Sequence, residues 1–80
     1  MSVYDTFSNL LHVGQDVLAA LRLGQMDLAH ALAVEARALA NDIDEDCGDD
    51  HVLASDADFC VHLIELNIRL TEEQAQAMVA

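Results

Sequence analysis

Lysine is absent from this chain, and arginine occurs only as Arg22, Arg37 and Arg69. Affinity for nucleic-acid phosphates comes from those two residue types, so no direct contact with nucleic acid is expected. Proline is absent too, and glycine is confined to Gly14, Gly24 and Gly48, a pattern that suits helices separated by few turns. Strand signals are missing. No stretch approaches the roughly eighteen apolar residues of a membrane span. A basic region followed by an apolar run, the mark of a secretory leader, is lacking at the N-terminus, and a cytoplasmic location is expected. With only Cys47 and Cys60 there is no disulfide framework, and both thiols are expected to be reduced. Catalysis finds no footing either. The chain carries no glycine-rich phosphate loop, no nucleophile beside a base and no carboxylate pair set to separate its pKa values, so no catalytic residue and no cofactor is expected.

What the chain has in abundance is acid. Fifteen Asp and Glu give a net charge of −12, which resists aggregation and steers the molecule towards positively charged surfaces. The natural partner is a protein with a basic surface. Eighty residues make one domain, 1–80. A chain of this size buries only about 60–65% of the surface its unfolded form exposes, so self-association is a common remedy and a homodimer is expected.

The stretch His51 to Leu70 organises the rest. At about 100° per residue, Leu53, Ala57, Cys60, Val61, Ile64 and Ile68 gather on one side, and Val52, Phe59, Leu63, Leu66 and Leu70 on another. A single polar stripe of His51, Ser55, Asp58, His62, Glu65 and Arg69 remains. A helix apolar on most of its circumference is either central or shared with a second chain. Asp58 with His62, and Glu65 with Arg69, have the spacing of surface pairs along that stripe.

The first helix is predicted over about 3–22, with Ser2 as N-cap and Asp5 in the first turn. Val3, Phe7, Leu10, Gly14, Val17 and Leu21 form its stripe, widened by Tyr4, Leu11 and Leu18. Gly14 would let another backbone come close. A turn at Leu23-Gly24-Gln25 leads to a second helix over about 27–43, capped by Asp27 or a neighbour. Leu28, Leu32, Leu39 and Ile43 form its expected ridge of burial beside Ala29, Ala33, Ala36 and Ala40, while His30, Arg37 and Asn41 face water. An acidic connector over 41–50, with six carboxylates in ten residues, follows. Asp49 or Asp50 can cap the third helix, about 51–70. Thr71-Glu72-Glu73-Gln74 has the form of a capping box, so a short fourth helix is predicted over about 72–79, docking through Ala75, Met78 and Val79. The fold class is all-α, a small bundle of three main helices plus this short one.

Gly24, Ala29 and Ala36 fall at the spacings with which tetratricopeptide repeats cross their paired helices, and residues 13–40 resemble one unit of that family. Val13 and Asp16-Val17 depart from its pattern of a bulky residue followed by Leu-Gly, and no second copy follows. Size, acidity and helical simplicity over the whole chain resemble the small inhibitors that bacteriophages make against host proteins, such as anti-CRISPR proteins. That resemblance implies a module that binds and occludes a larger protein.

Metal sites fit the residues poorly. Asp42, Asp44 and Asp46 alternate like the first ligands of a calcium loop, but Cys47 stands where that loop needs glycine and Leu53 where it needs a bidentate Glu. Cys47, His51, Cys60 and His62 have zinc chemistry, yet Cys60 and His62 point about 200° apart on a helix. No metal ligand set is expected. The expected partner contacts are Phe59, Leu63, Leu66 and Leu70, unless the final helix folds back over them. Asp44, Glu45, Asp46, Asp49 and Asp50 form the expected acidic rim. Two alternatives stand beside an inhibitor. One is a DNA mimic, with Asp42, Asp44, Glu45, Asp46, Asp49, Asp50, Asp56 and Asp58 imitating phosphates. The other is an assembly chaperone or adaptor for an amphipathic helix.

Overall fold

Ser2 opens the first helix by reciprocal capping. Its Oγ accepts the Asp5 N–H at 3.2 Å, and Asp5 Oδ2 accepts the Ser2 N–H at 3.4 Å. In the computed structural model, which describes residues 2–79 (the Val79 side chain apart), helix α1 then runs over Val3–Arg22. It stops in a Schellman turn. The Gln25 N–H reaches Ala20 O at 2.9 Å, the Gly24 N–H reaches Leu21 O at 3.2 Å, and Gly24 takes the left-handed φ of 72° that this turn requires.

Helix α2 spans Met26–Asp46. Its N-cap is Gln25, whose side chain makes no capping bond, and Asp27 sits inside the first turn rather than capping it. The helix continues one turn past Ile43, so 41–46 are helical and only 47–50 connect α2 to α3. The reason is Ile43 itself. It is completely buried, and its burial holds the last turn helical although Asp42, Asp44, Glu45 and Asp46, exposed to water, lie near the negative end of the helix and oppose it weakly. Gly48, at φ 62°, breaks the run.

Helix α3 covers His51–Val79, with Asp50 Oδ1 capping the Leu53 N–H at 3.1 Å. Among the described residues there is no separate fourth helix. Thr71 does not turn outward as a cap. Its hydroxyl donates to Asn67 O at 2.8 Å, one turn back, so the chain passes through Leu70–Gln74 without a break. Ala75 and Met78, expected to dock, are exposed, and the Val79 side chain lies outside the described residues.

The core is a thin seam. It holds Leu10, Val13, Val17 and Ala20 of α1, Ala29, Ala36, Ala40 and Ile43 of α2, and Ala57, Val61, Ile64 and Ile68 of α3. On α2 the alanine row is therefore the buried one. Leu32 and Leu39 are half-buried and Leu28 is exposed, because α1 and α2 approach closely enough for small residues to fill the crossing. The α1–α2 contact is the most extensive of the three and α1–α3 the slightest. The molecule measures 48 × 19 × 14 Å, and its radius of gyration of 13.8 Å exceeds the value of about 11.6 Å usual for this length. Much of that elongation is α3, whose residues Glu73 to Met78 are all exposed.

Candidate functional site

The two apolar faces of α3 meet different fates. Ala57, Val61, Ile64 and Ile68 are buried, with Leu53 and Cys60 half-buried beside them. On the other face Phe59, Leu63, Leu66 and Leu70 remain 61%, 43%, 38% and 46% exposed, and Val52 is exposed with them. The end of α3 does not fold back as a cover. The sequence-predicted apolar set thus lies together on one uncovered helix face.

Helix α1 meets that face at Leu63, across a groove that Leu11 and Leu18 line. Tyr4, Leu11 and Leu18 recur every seven residues and are all exposed. Between α1 and α3 runs an open groove of about 340 Å³, with Leu11, Gly14 and Leu18 on one wall and Cys60, Leu63 and Asn67 on the other. Among the described residues no Asp, Glu, Lys, Arg or His lines it. Asn67 is not left seeking a partner, since its Nδ2 donates to Leu63 O at 2.8 Å. Burial pushes the Cys60 thiol above its ordinary value, and the nearby Asp56 carboxylate adds to the effect, so the thiol stays protonated. The α1 row was not apparent as a contact surface from its sequence, where it reads as the margin of a single wide stripe. Its seven-residue spacing was the available signal.

The acidic set gathers elsewhere, at the end of the bundle where α2 passes into α3. Asp44, Glu45, Asp46, Asp49 and Asp50 are all exposed there. Asp50 is partly a structural residue, as the cap of α3. Asp44, Glu45 and Asp46 lie against the negative end of the α2 dipole, whereas Asp49 and Asp50 lie at the positive start of α3. Within a helix, Asp44 projects at about 200° to both Asp42 and Asp46, so the three cannot converge on one cation. Among the described residues no three His, Cys, Asp or Glu side chains assemble as a ligand set.

The polar stripe of α3 turns towards α2. Arg37, expected to face water, pairs with Glu65 at 2.9 Å and with Asp58 at 3.9 Å, and His30 approaches Glu72 at 3.4 Å. The pairings expected along α3, Glu65 with Arg69 and Asp58 with His62, give way to contacts between helices. A long arginine stem on the adjacent antiparallel helix reaches both carboxylates at once.

No known protein family, no curated protein and no solved structure matches this chain. Among the described residues no helix is long and apolar enough to cross a membrane.

Proposed function

We propose that this chain is a small acidic protein–protein interaction module that acts as an inhibitor or antagonist, occupying the surface of a larger, basic protein. The observation that carries the reading is the division of its surface. Phe59, Leu63, Leu66 and Leu70 form an uncovered apolar face, and a separate exposed cluster of Asp44, Glu45, Asp46, Asp49 and Asp50 supplies the field that a basic partner answers. Nothing in this arrangement calls for a reaction step. The module works by occlusion, in the manner of the small phage inhibitors it resembles, or as an adaptor for an amphipathic helix that uses the same apolar face.

The test is capture from a bacterial lysate by the wild type and by a variant carrying Asp44→Asn, Glu45→Gln, Asp46→Asn and Asp49→Asn. Asp50 is spared because it caps α3. Stoichiometric capture of a basic protein, lost in the variant and weakened by salt, is expected. Capture of nothing, or capture indifferent to the substitutions, refutes the reading.

A DNA mimic is the second reading, favoured by the exposure of Asp42, Asp44, Glu45, Asp46, Asp49, Asp50, Asp56 and Asp58 together. It requires the captured protein to release the chain when duplex DNA is added. Retention in the presence of DNA eliminates it.

A further inference from the structure

We infer that the face shared by α1 and α3 is covered by a second copy of this chain, leaving the acidic end of the bundle free for a different partner. The inference rests on the reading of the outer α3 face as a contact surface, and it names the occupant.

Charge selects that occupant. Eight of the fifteen carboxylates sit on α2 and the connector: Asp27, Glu35, Asp42, Asp44, Glu45, Asp46, Asp49 and Asp50. Asp58, Glu65 and Glu72 of α3 turn the same way, as their contacts with Arg37 and His30 establish. The groove between α1 and α3 is lined without any such group, and the outer row of α3 is flanked by the exposed Asp56 and Glu73, three residues before Phe59 and three after Leu70. Within the groove itself a basic partner would find no carboxylate to meet. A second uncharged apolar face is its match, and two chains of net charge −12 can join through it while their acidic sides point apart. The comparable groove between α1 and α2 lacks this property, because Asp16 borders it.

Spacing and size agree. Phe59, Leu63, Leu66 and Leu70 follow one another at intervals of four, three and four, the seam of helices packed along their length, and Tyr4, Leu11 and Leu18 keep the seven-residue period beside them. Complete covering of the exposed parts of these seven side chains would remove at most roughly 700 Å² per copy, against the ~800 Å² per partner of a standard interface.

The test is light scattering over a concentration series at low and high NaCl, on the wild type and on Leu11→Gln, Leu63→Asp and Leu66→Asp, with circular dichroism to establish that each is folded. The wild type is expected to reach twice the chain mass and to associate more tightly as salt rises, because screening relieves repulsion between like-charged copies. Binding of a basic partner has the opposite salt dependence. The aspartate variants are expected to stay helical while dissociating at least about 30-fold more readily. Cys60 serves as a second readout: its alkylation should slow as concentration rises, while that of Cys47, remote from the groove, should not. A wild type that stays monomeric at every concentration overturns the inference, and so does a dimer that survives all three substitutions with Cys60 equally open. Either result leaves the capture experiment on the acidic end to decide the broader reading independently.

Discussion

Arg37 Nη2 lies 2.9 Å from Glu65 Oε1, and the same guanidinium reaches Asp58 Oδ1 at 3.9 Å, so one of only three cations in the chain ties α2 to α3. Both partners are about half exposed, and water screens the pair. Replacing Arg37 by Gln is therefore expected to cost only roughly 0.5 kcal/mol at low salt. Thermal melts of wild type and variant at two ionic strengths check this. The difference should shrink at high salt, and a loss that ignores salt would mean that the arginine stem, rather than its charge, does the holding.

Gly14 offers a gain. A methyl group built there would meet Ile64 Cδ1 at 3.6 Å, an ordinary contact, while the glycine costs its helix about 1 kcal/mol relative to alanine. Gly14→Ala is expected to raise the melting temperature by about 4–8 °C, as such a change does in a domain of this size. A fall instead, measured by circular dichroism, would show that another backbone needs the space. Among the described residues outside its own helix turn, it is the Ile64 side chain that stands near it.

Cys60 sets a pH dependence. Its folded thiol is held above the ordinary value of 9.0, so as pH rises past 9.0 the unfolded chain releases a proton that the folded chain retains. The stability conferred by the thiol is full below 9.0 and is lost as pH climbs towards the folded value. Melts of wild type and Cys60→Ala from pH 8 upward should therefore show the wild type losing ground above pH 9.0. Asp56→Asn should reduce that loss only in part, since burial is the larger cause. Parallel curves for wild type and Cys60→Ala would refute the assignment.

The three helices were legible in the sequence because their signals are local and agree with one another: Ser2 with Asp5, Gly24 at its turn, Asp50 before His51. Thr71 misled because the same residue type that caps a helix can bond back into one, and only the neighbouring turn decides between the two. The connector misled for a similar reason. Six carboxylates read as loop, yet Ile43, buried among them, holds the backbone helical. Phe59, Leu63, Leu66 and Leu70 were expected as the contact face of α3, but periodicity alone did not establish that they would stay uncovered. That depends on where α1 and α2 sit, and it is tertiary packing, not periodicity, that leaves Leu63 and Leu66 in water.

The acidic end of α2 also gives the molecule a direction. Six negative groups concentrated at one end of a 48 Å body make it respond to an external field as a compass needle does. Before any contact forms, a positively charged surface exerts a torque as well as a pull, so this chain meets such a surface end-on, α2–α3 junction first.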